Sequence, residues 1–371
     1  MKSLYLTAIL FLGISFSVLA QNISVTVGDE PSGLSGAVFP IQDGILSVSA
    51  NKVSLGEDEF YSPHSWSVSP DGRKISFLMK GNVFEYQLFD SDGSAYFKKD
   101  LEFFDLQDET VKNYQFDDGR TVLRDNVANF SFYSSGGNQL YSISNSSQSS
   151  EGERESELAS DDYGRTVVLF NPVINYGNTT GSRASFVSKN REINTFFRDR
   201  EREISRVEVT HAGAYITVIV KPAQGSDQYT ALIFDRFGNK LSEINTDEEL
   251  KGVELTDKAD YATLFSSGRM QVYRLENNER VGSASSRNSI LHATYDPEEN
   301  MIIAMGGTLN GYSISSPSVT VVHIGQREIA SEEINGRLHA LNGEKIRLVK
   351  EGRQQYEVEN LNRTVQISTS F

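Results

Sequence analysis

The stretch Ser69-Pro70-Asp71-Gly72-Arg73-Lys74-Ile75-Ser76-Phe77 decides how the chain reads. Ser69 closes one extended run, and Pro70-Asp71-Gly72 makes a tight turn. Proline presets φ there, and glycine supplies the positive φ that a tight turn needs. Ile75-Ser76-Phe77 then opens a new run of β-branched and aromatic residues, which reads as a strand.

Working outward, weaker copies of this turn return at a near-constant interval. Gly72 is followed by Gly119, Gly164, Gly213, Ala259, Glu299 and Gly343, at intervals of 47, 45, 49, 46, 40 and 44 residues. A short apolar run follows each anchor: Ile75 to Leu78, Thr121 to Leu123, Thr166 to Phe170, Tyr215 to Val220, Tyr261 to Phe265, Met301 to Met305, and Lys345 to Val349. Runs so short and so β-branched are strands rather than helices. A hairpin comes next, clearest in Val83 to Phe89, the turn Asp90-Ser91-Asp92-Gly93, and Ser94 to Phe97. A further strand precedes each anchor, as in Ser65 to Val68, Arg206 to Val209 and Gly252 to Leu255.

Four short antiparallel strands per module, at this period, define a blade of an all-β propeller. A sandwich or barrel requires no such interval, and a helical solenoid lacks its helices; Glu192 to Arg206, the one helical candidate, reads instead as a solvated loop or hairpin edge. Seven modules run from about His64 to Phe371. Residues 21–63 hold one more, with strands at Ile23 to Val27, Ala37 to Ile41, Ile45 to Ser49 and Val53 to Gly56. Eight blades therefore account best for a single domain over residues 21–371. The alternative is seven blades with residues 21–63 as an appendage or as the source of a ring-closing strand.

Residues 1–20 have the form of a secretory signal peptide. Lys2 supplies the positive start, Tyr5 to Val18 the apolar core, and Val18-Leu19-Ala20 a small-residue cleavage site. Gly13, Ser15 and Ser17 interrupt the apolar run, which is short for a bilayer span of roughly 20 apolar residues. The expected location is secreted or periplasmic, with association with the cell envelope as a further option and no transmembrane anchor after cleavage. The chain has no cysteine, so its stability comes from the core rather than from disulfides. Thiol catalysis, Cys-ligated metals and an N-terminal lipid-modified Cys are excluded as well, and a bacterial source is expected. The formal charge of −15 becomes −16 once Lys2 is removed, which repels phosphate backbones and argues against nucleic acid as a partner. Five N-x-Ser/Thr sequons, at Asn22, Asn129, Asn145, Asn178 and Asn362, matter only in a eukaryotic host. The Ser/Glu-rich segment from Asn145 to Asp162 reads as a solvated loop between blades.

The opening stretch, with Gly81-Asn82-Val83-Phe84-Glu85-Tyr86 and Asp90-Ser91-Asp92-Gly93, resembles the WD-repeat-like modules of TolB-type periplasmic propellers. The match is good over one module, partial at Asp296-Pro297 and faint elsewhere. The resemblance implies an exported propeller serving as a protein- or ligand-binding platform, and it carries no catalytic residue across. Ser160-Asp161-Asp162-Tyr163-Gly164-Arg165-Thr166-Val167 is similar to the Asp-box of sialidase-like propellers, with Val167 in place of Trp. Here, however, it falls between the two inner strands, whereas an Asp-box occupies the outer hairpin turn.

Chemistry-bearing residues are few. His64, His292 and His339 fall in or beside strands that border the central channel, where they have the chemistry to hold a metal or an anion, although nothing in their spacing fixes such a geometry. Glu208 and Glu254 occupy equivalent places in adjacent blades, five residues before their anchors. Paired carboxylates at a channel suit cation binding or acid–base work. Edge polar residues facing water are the ordinary reading of both, and no cofactor or metal motif is present. The expectation is an exported, non-catalytic binding module with a protein or glycan partner. The alternative is a propeller-type glycan hydrolase or lyase using Glu208 and Glu254. A third reading is a structural component of an envelope complex.

Overall fold

The computed structural model describes residues 22–29, 36–101, 111–125, 128–145, 156–188, 190–223, 228–326, 328–341 and 346–370. The expected signal peptide and the anchor Gly343 lie outside the described residues. Within them the chain forms eight antiparallel sheets and no helix. Seven sheets take their strands in sequence order, innermost first: blade 1 spans 37–61, blade 2 65–101, blade 3 112–144, blade 4 157–199, blade 5 202–246, blade 6 250–285 and blade 7 290–333.

Blade 8 is assembled from both ends of the chain. Arg347–Gly352, Gln355–Glu359 and Val365–Ser370 supply three strands, and Asn22–Val27 adds the outermost one in register Asn22↔Ser370 to Val27↔Val365. The count of eight therefore holds, but the assignment of Ile23 to Val27 to the first blade is corrected. Blade 1 instead takes Ala37–Ile41, Gly44–Ser49, Lys52–Leu55 and Asp58–Tyr61. The turn of blade 8 is Arg353-Gln354, so the strand placed after Gly343 is in fact the innermost of its sheet. With only three strands left at this end, the N-terminal segment fills the open edge.

The founding turn shows why the motif works. The Gly72 N–H donates to the Ser69 carbonyl at 2.8 Å, Ser69 Oγ accepts from the Lys74 N–H at 2.9 Å, and Asp71 Oδ1 accepts from the Arg73 N–H at 3.0 Å. Gly72 takes φ +70°. Gly119, Gly164 and Gly213 repeat that conformation, and in later blades Ala259, Asn300 and Gln354 adopt it without glycine.

Side chains of adjacent blades form seven core clusters, one at each interface from blades 1–2 to blades 7–8. Among the described residues none joins blade 8 to blade 1. The second and third strands of blade 7 run on as a long hairpin, Met301–Asn310 and Ser313–His323, and its tip recruits the short strand Leu338–His339. Tyr312 at this tip packs on Phe39 of blade 1 (centroids 6.2 Å apart) and Trp66 of blade 2 (5.8 Å). The hairpin thus straps across the joint that lacks a core of its own.

The hairpin-edge reading of Glu192 to Arg206 holds in part, and the loop reading of Asn145 to Asp162 is revised. Glu192 to Arg206 is strand on both sides of a short link, ending blade 4 as Ile193–Asp199 and opening blade 5 as Arg202–Val209. Within Asn145 to Asp162, residues 146–155 lie outside the described residues, but Glu157–Ser160 is the innermost strand of blade 4. Its loop-like composition is overridden by pairing with Val167–Asn175 and by the wholly buried Arg124, which binds Glu157 Oε1 at 2.9 Å.

Candidate functional site: the central channel and its turn face

The innermost strands of blades 5, 6, 7 and 8 carry Glu208, Glu254, His292 and Arg347. Arg206 lies two residues before Glu208 and so on the same side of the strand. Its Nε donates to Glu208 Oε1 at 2.6 Å, and Glu208 Oε2 accepts the Val253 N–H at 3.2 Å, tying blade 5 to blade 6. Both oxygens of Glu208 are therefore engaged.

Glu254 Oε2 lies 4.0 Å from His292 Nε2, beyond hydrogen-bond reach. Enclosure by the channel walls, followed by repulsion from Glu208, pushes the Glu254 carboxyl up to about 8, although Arg347 pulls the other way. His292 is driven down to about 3, first by burial and then by Arg347 and Arg206. Both shifts favour the uncharged forms at neutral pH. The His292 ring packs edge-on to Phe265 at 5.7 Å, and its Nε2 has no hydrogen-bond partner.

Arg347 binds Glu359 Oε2 of its own blade at 2.6 Å, and its Nη1 lies 3.8 Å from Asp162 Oδ2 of blade 4. In a ring of eight, blades 8 and 4 stand opposite one another, so this pair spans the channel. Asp162 also bonds His211 in the turn of blade 5. The turns joining innermost to second strands are themselves linked around one face of the ring. Asp71 N–H donates to Asp117 Oδ1 at 2.8 Å, Asp117 N–H to Asp162 O at 3.0 Å, and Arg120 to Tyr163 O at 2.8 Å. Partial burial, then the Asp71 and Asp162 carboxylates, raise Asp117 to about 6.

The structure thus brings Glu208, Glu254 and His292 together and leaves His64 and His339 elsewhere. His64 sits on blade 2, its backbone bonded to Leu78 and its ring against Phe84 at 5.1 Å. His339 is not on the innermost strand of a blade as expected. Leu338–His339 pairs with the third strand of blade 7, because the long hairpin extends past its own sheet and captures it. Arg206, Arg347 and Asp162 were missed by sequence reasoning. The Arg-x-Glu spacing at 206–208 was a usable signal, whereas Arg347 is invisible without the true register of blade 8. The Asp-box-like stretch lies between the inner strands of blade 4, where Asp161 Oδ1 accepts the Thr166 N–H at 2.6 Å and shapes the turn. Among the described residues no group of three or more His, Cys, Asp or Glu side chains is arranged to hold a metal ion.

This architecture is a β-propeller of eight blades. No protein-family profile matches the sequence, and no curated protein matches it. Among solved structures the chain is similar to BamB from Moraxella catarrhalis at 13% identity, covering 94% of this chain and 98% of that one with a TM-score of 0.48. A eukaryotic initiation factor aligns at 13% identity over 82% of this chain and 90% of that one, with a TM-score of 0.44. Hsv2 from Kluyvelomyces marxianus aligns at 9% identity over 80% and 88%, with a TM-score of 0.45.

Proposed function

We propose that the chain is an exported, non-catalytic binding module whose partner is a protein, working in the periplasm or at the cell surface. The observation that carries this reading is the Arg347–Asp162 pair, which bridges the channel between opposite blades. A substrate path along the axis would have to break it. The remaining channel charges are answered locally, Glu208 by Arg206 and Arg347 by Glu359. The raised carboxyl of Glu254 is what a general acid in a glycan hydrolase needs. Its companion Glu208 has both oxygens occupied, however, so the pair lacks a free second carboxylate. A rigid ring of this kind places recognition on its turns and loops.

The test is recovery of partners by the purified protein from the envelope fraction of its source, alongside assays on a panel of glycans. A stoichiometric protein partner with no glycan turnover is the expected result. Glycan cleavage that Glu254→Gln abolishes overturns the reading.

A further inference from the structure

Several arginines of the turn regions face carboxylates: Arg120 binds Asp118 at 2.6 Å, Arg202 binds Asp199 at 2.8 Å, and Arg274 binds Glu279 at 3.0 Å. Arg165, Arg191 and Arg236 instead face aromatic rings. Arg165 lies 4.5 Å above the Tyr163 ring, Arg191 5.1 Å above Tyr141, and Arg236 4.9 Å above Phe237. All three are exposed, and among the described residues none forms an ion pair.

These couples share one side of the ring. Antiparallel pairing puts the turn between the first two strands of a blade at the same end as the turn between its last two. Arg165 and Tyr163 sit in the turn between the first two strands of blade 4, Arg191 in the turn between its last two, and Arg236 and Phe237 in the turn between the last two strands of blade 5. The turns also touch. A Cβ built on Gly238 would meet Phe196 Cβ at 2.6 Å and the Phe186 ring at 3.0 Å, so the blade 5 turn lies directly on blade 4. Tyr163 approaches His211 at 6.4 Å, and the Arg236 N–H donates to Ala214 O at 3.0 Å, closing the circuit. Phe237 is 72% exposed and Tyr163 38%.

We infer that this patch, built on Tyr163, Arg165, Arg191, Arg236 and Phe237, receives an acidic, aromatic- or leucine-bearing segment of a protein partner. The inference rests on the binding-module reading and assigns it a surface. A guanidinium seated over a ring without a carboxylate partner has N–H donors to offer, and these match a carboxylate in two-pronged fashion. The rings beside it supply apolar area of the kind that dominates binding energy at interfaces. A chain of formal charge −15 repels an acidic segment over much of its surface, whereas on this face three guanidiniums without carboxylate partners stand beside exposed rings.

The probe is a short labelled peptide alternating Glu with Phe and Leu, measured by fluorescence anisotropy on the full chain. Its Gln-for-Glu analogue and a single-stranded DNA of equal charge serve as comparisons. The acidic peptide is expected to bind at low salt and to weaken at high salt. The Gln analogue and the variants Arg165→Gln, Arg236→Gln and Phe237→Ala should each lose about tenfold, and Tyr61→Ala, at an exposed tyrosine of blade 1, should lose nothing. Equal binding of the Gln peptide, equal binding of the DNA, no binding of the acidic peptide, or indifference to the patch variants overturns the inference. A partner recovered equally by wild type and by the triple Arg165/Arg191/Arg236→Gln protein overturns the patch alone. Glycan turnover overturns the binding-module reading instead.

Discussion

Arg347 of the last blade and Asp162 of the fourth lie 3.8 Å apart although their sheets stand on opposite sides of the ring. The same guanidinium acts, after burial, on both Glu254 and His292 and lowers the pKa of each.

Removing that charge is expected to move both neighbours in the same direction. In Arg347→Gln, Glu254 should titrate above its present value of about 8, and His292 above its value of about 3. Titration followed by NMR on labelled carboxyl and imidazole carbons reads both shifts. Unchanged values in the variant would contradict the cross-channel geometry.

Glu254 also gives stability a basic limb. Its folded pKa of about 8 lies above the ordinary 4.5, so its contribution is complete below pH 4.5 and is lost as pH rises through 8. Glu254→Gln stays neutral throughout. It should match the wild type near pH 4.5 and exceed it in urea midpoint above pH 8. His292 makes a separate acid limb of opposite sign. Its pKa falls from 6.5 to about 3, so its contribution is complete above pH 6.5 and is lost as pH falls through 3.

The closing blade is a test of packing. Ile367 is wholly buried opposite Val25 of the N-terminal strand. Ile367→Ala should cost about 2–5 kcal/mol in equilibrium unfolding. Ile329, 58% exposed on the outermost strand of blade 7, should cost no more than about 0.5 kcal/mol when replaced by Ala.

The strap can be followed with the only tryptophan in the chain. Tyr312→Ala removes the ring lying 5.8 Å from Trp66, so Trp66 emission should shift to the red with far-UV circular dichroism unchanged. Loss of the β signal together with the shift would mean that the hairpin is part of the core rather than a fastening across it.

The repeat was legible because its turn needs a backbone conformation that glycine supplies freely, so Gly72, Gly119, Gly164 and Gly213 marked true positions. The signal faded where Ala259, Asn300 and Gln354 take the same φ at some strain, which is why Glu299 stood in for Asn300 and Gly343 for Gln354. The second of these misplacements displaced His339 and hid Arg347. Glu208 and Glu254 were legible because blades 5 and 6 keep their register from strand to turn. The arginine–aromatic couples were not, since each depends on turns that meet only once blades are packed side by side. Glu157–Ser160 was lost because a polar inner strand is indistinguishable from a loop until Arg124 is seen beneath it.

The pairing of Asn22–Val27 with Val365–Ser370 joins strands from opposite ends of the described residues. Closing this sheet carries the entropy of a very long loop, so it is expected to form later than any blade built from neighbouring strands. A chain cut before Val365 keeps an unpaired sheet edge there, a template for association with other copies.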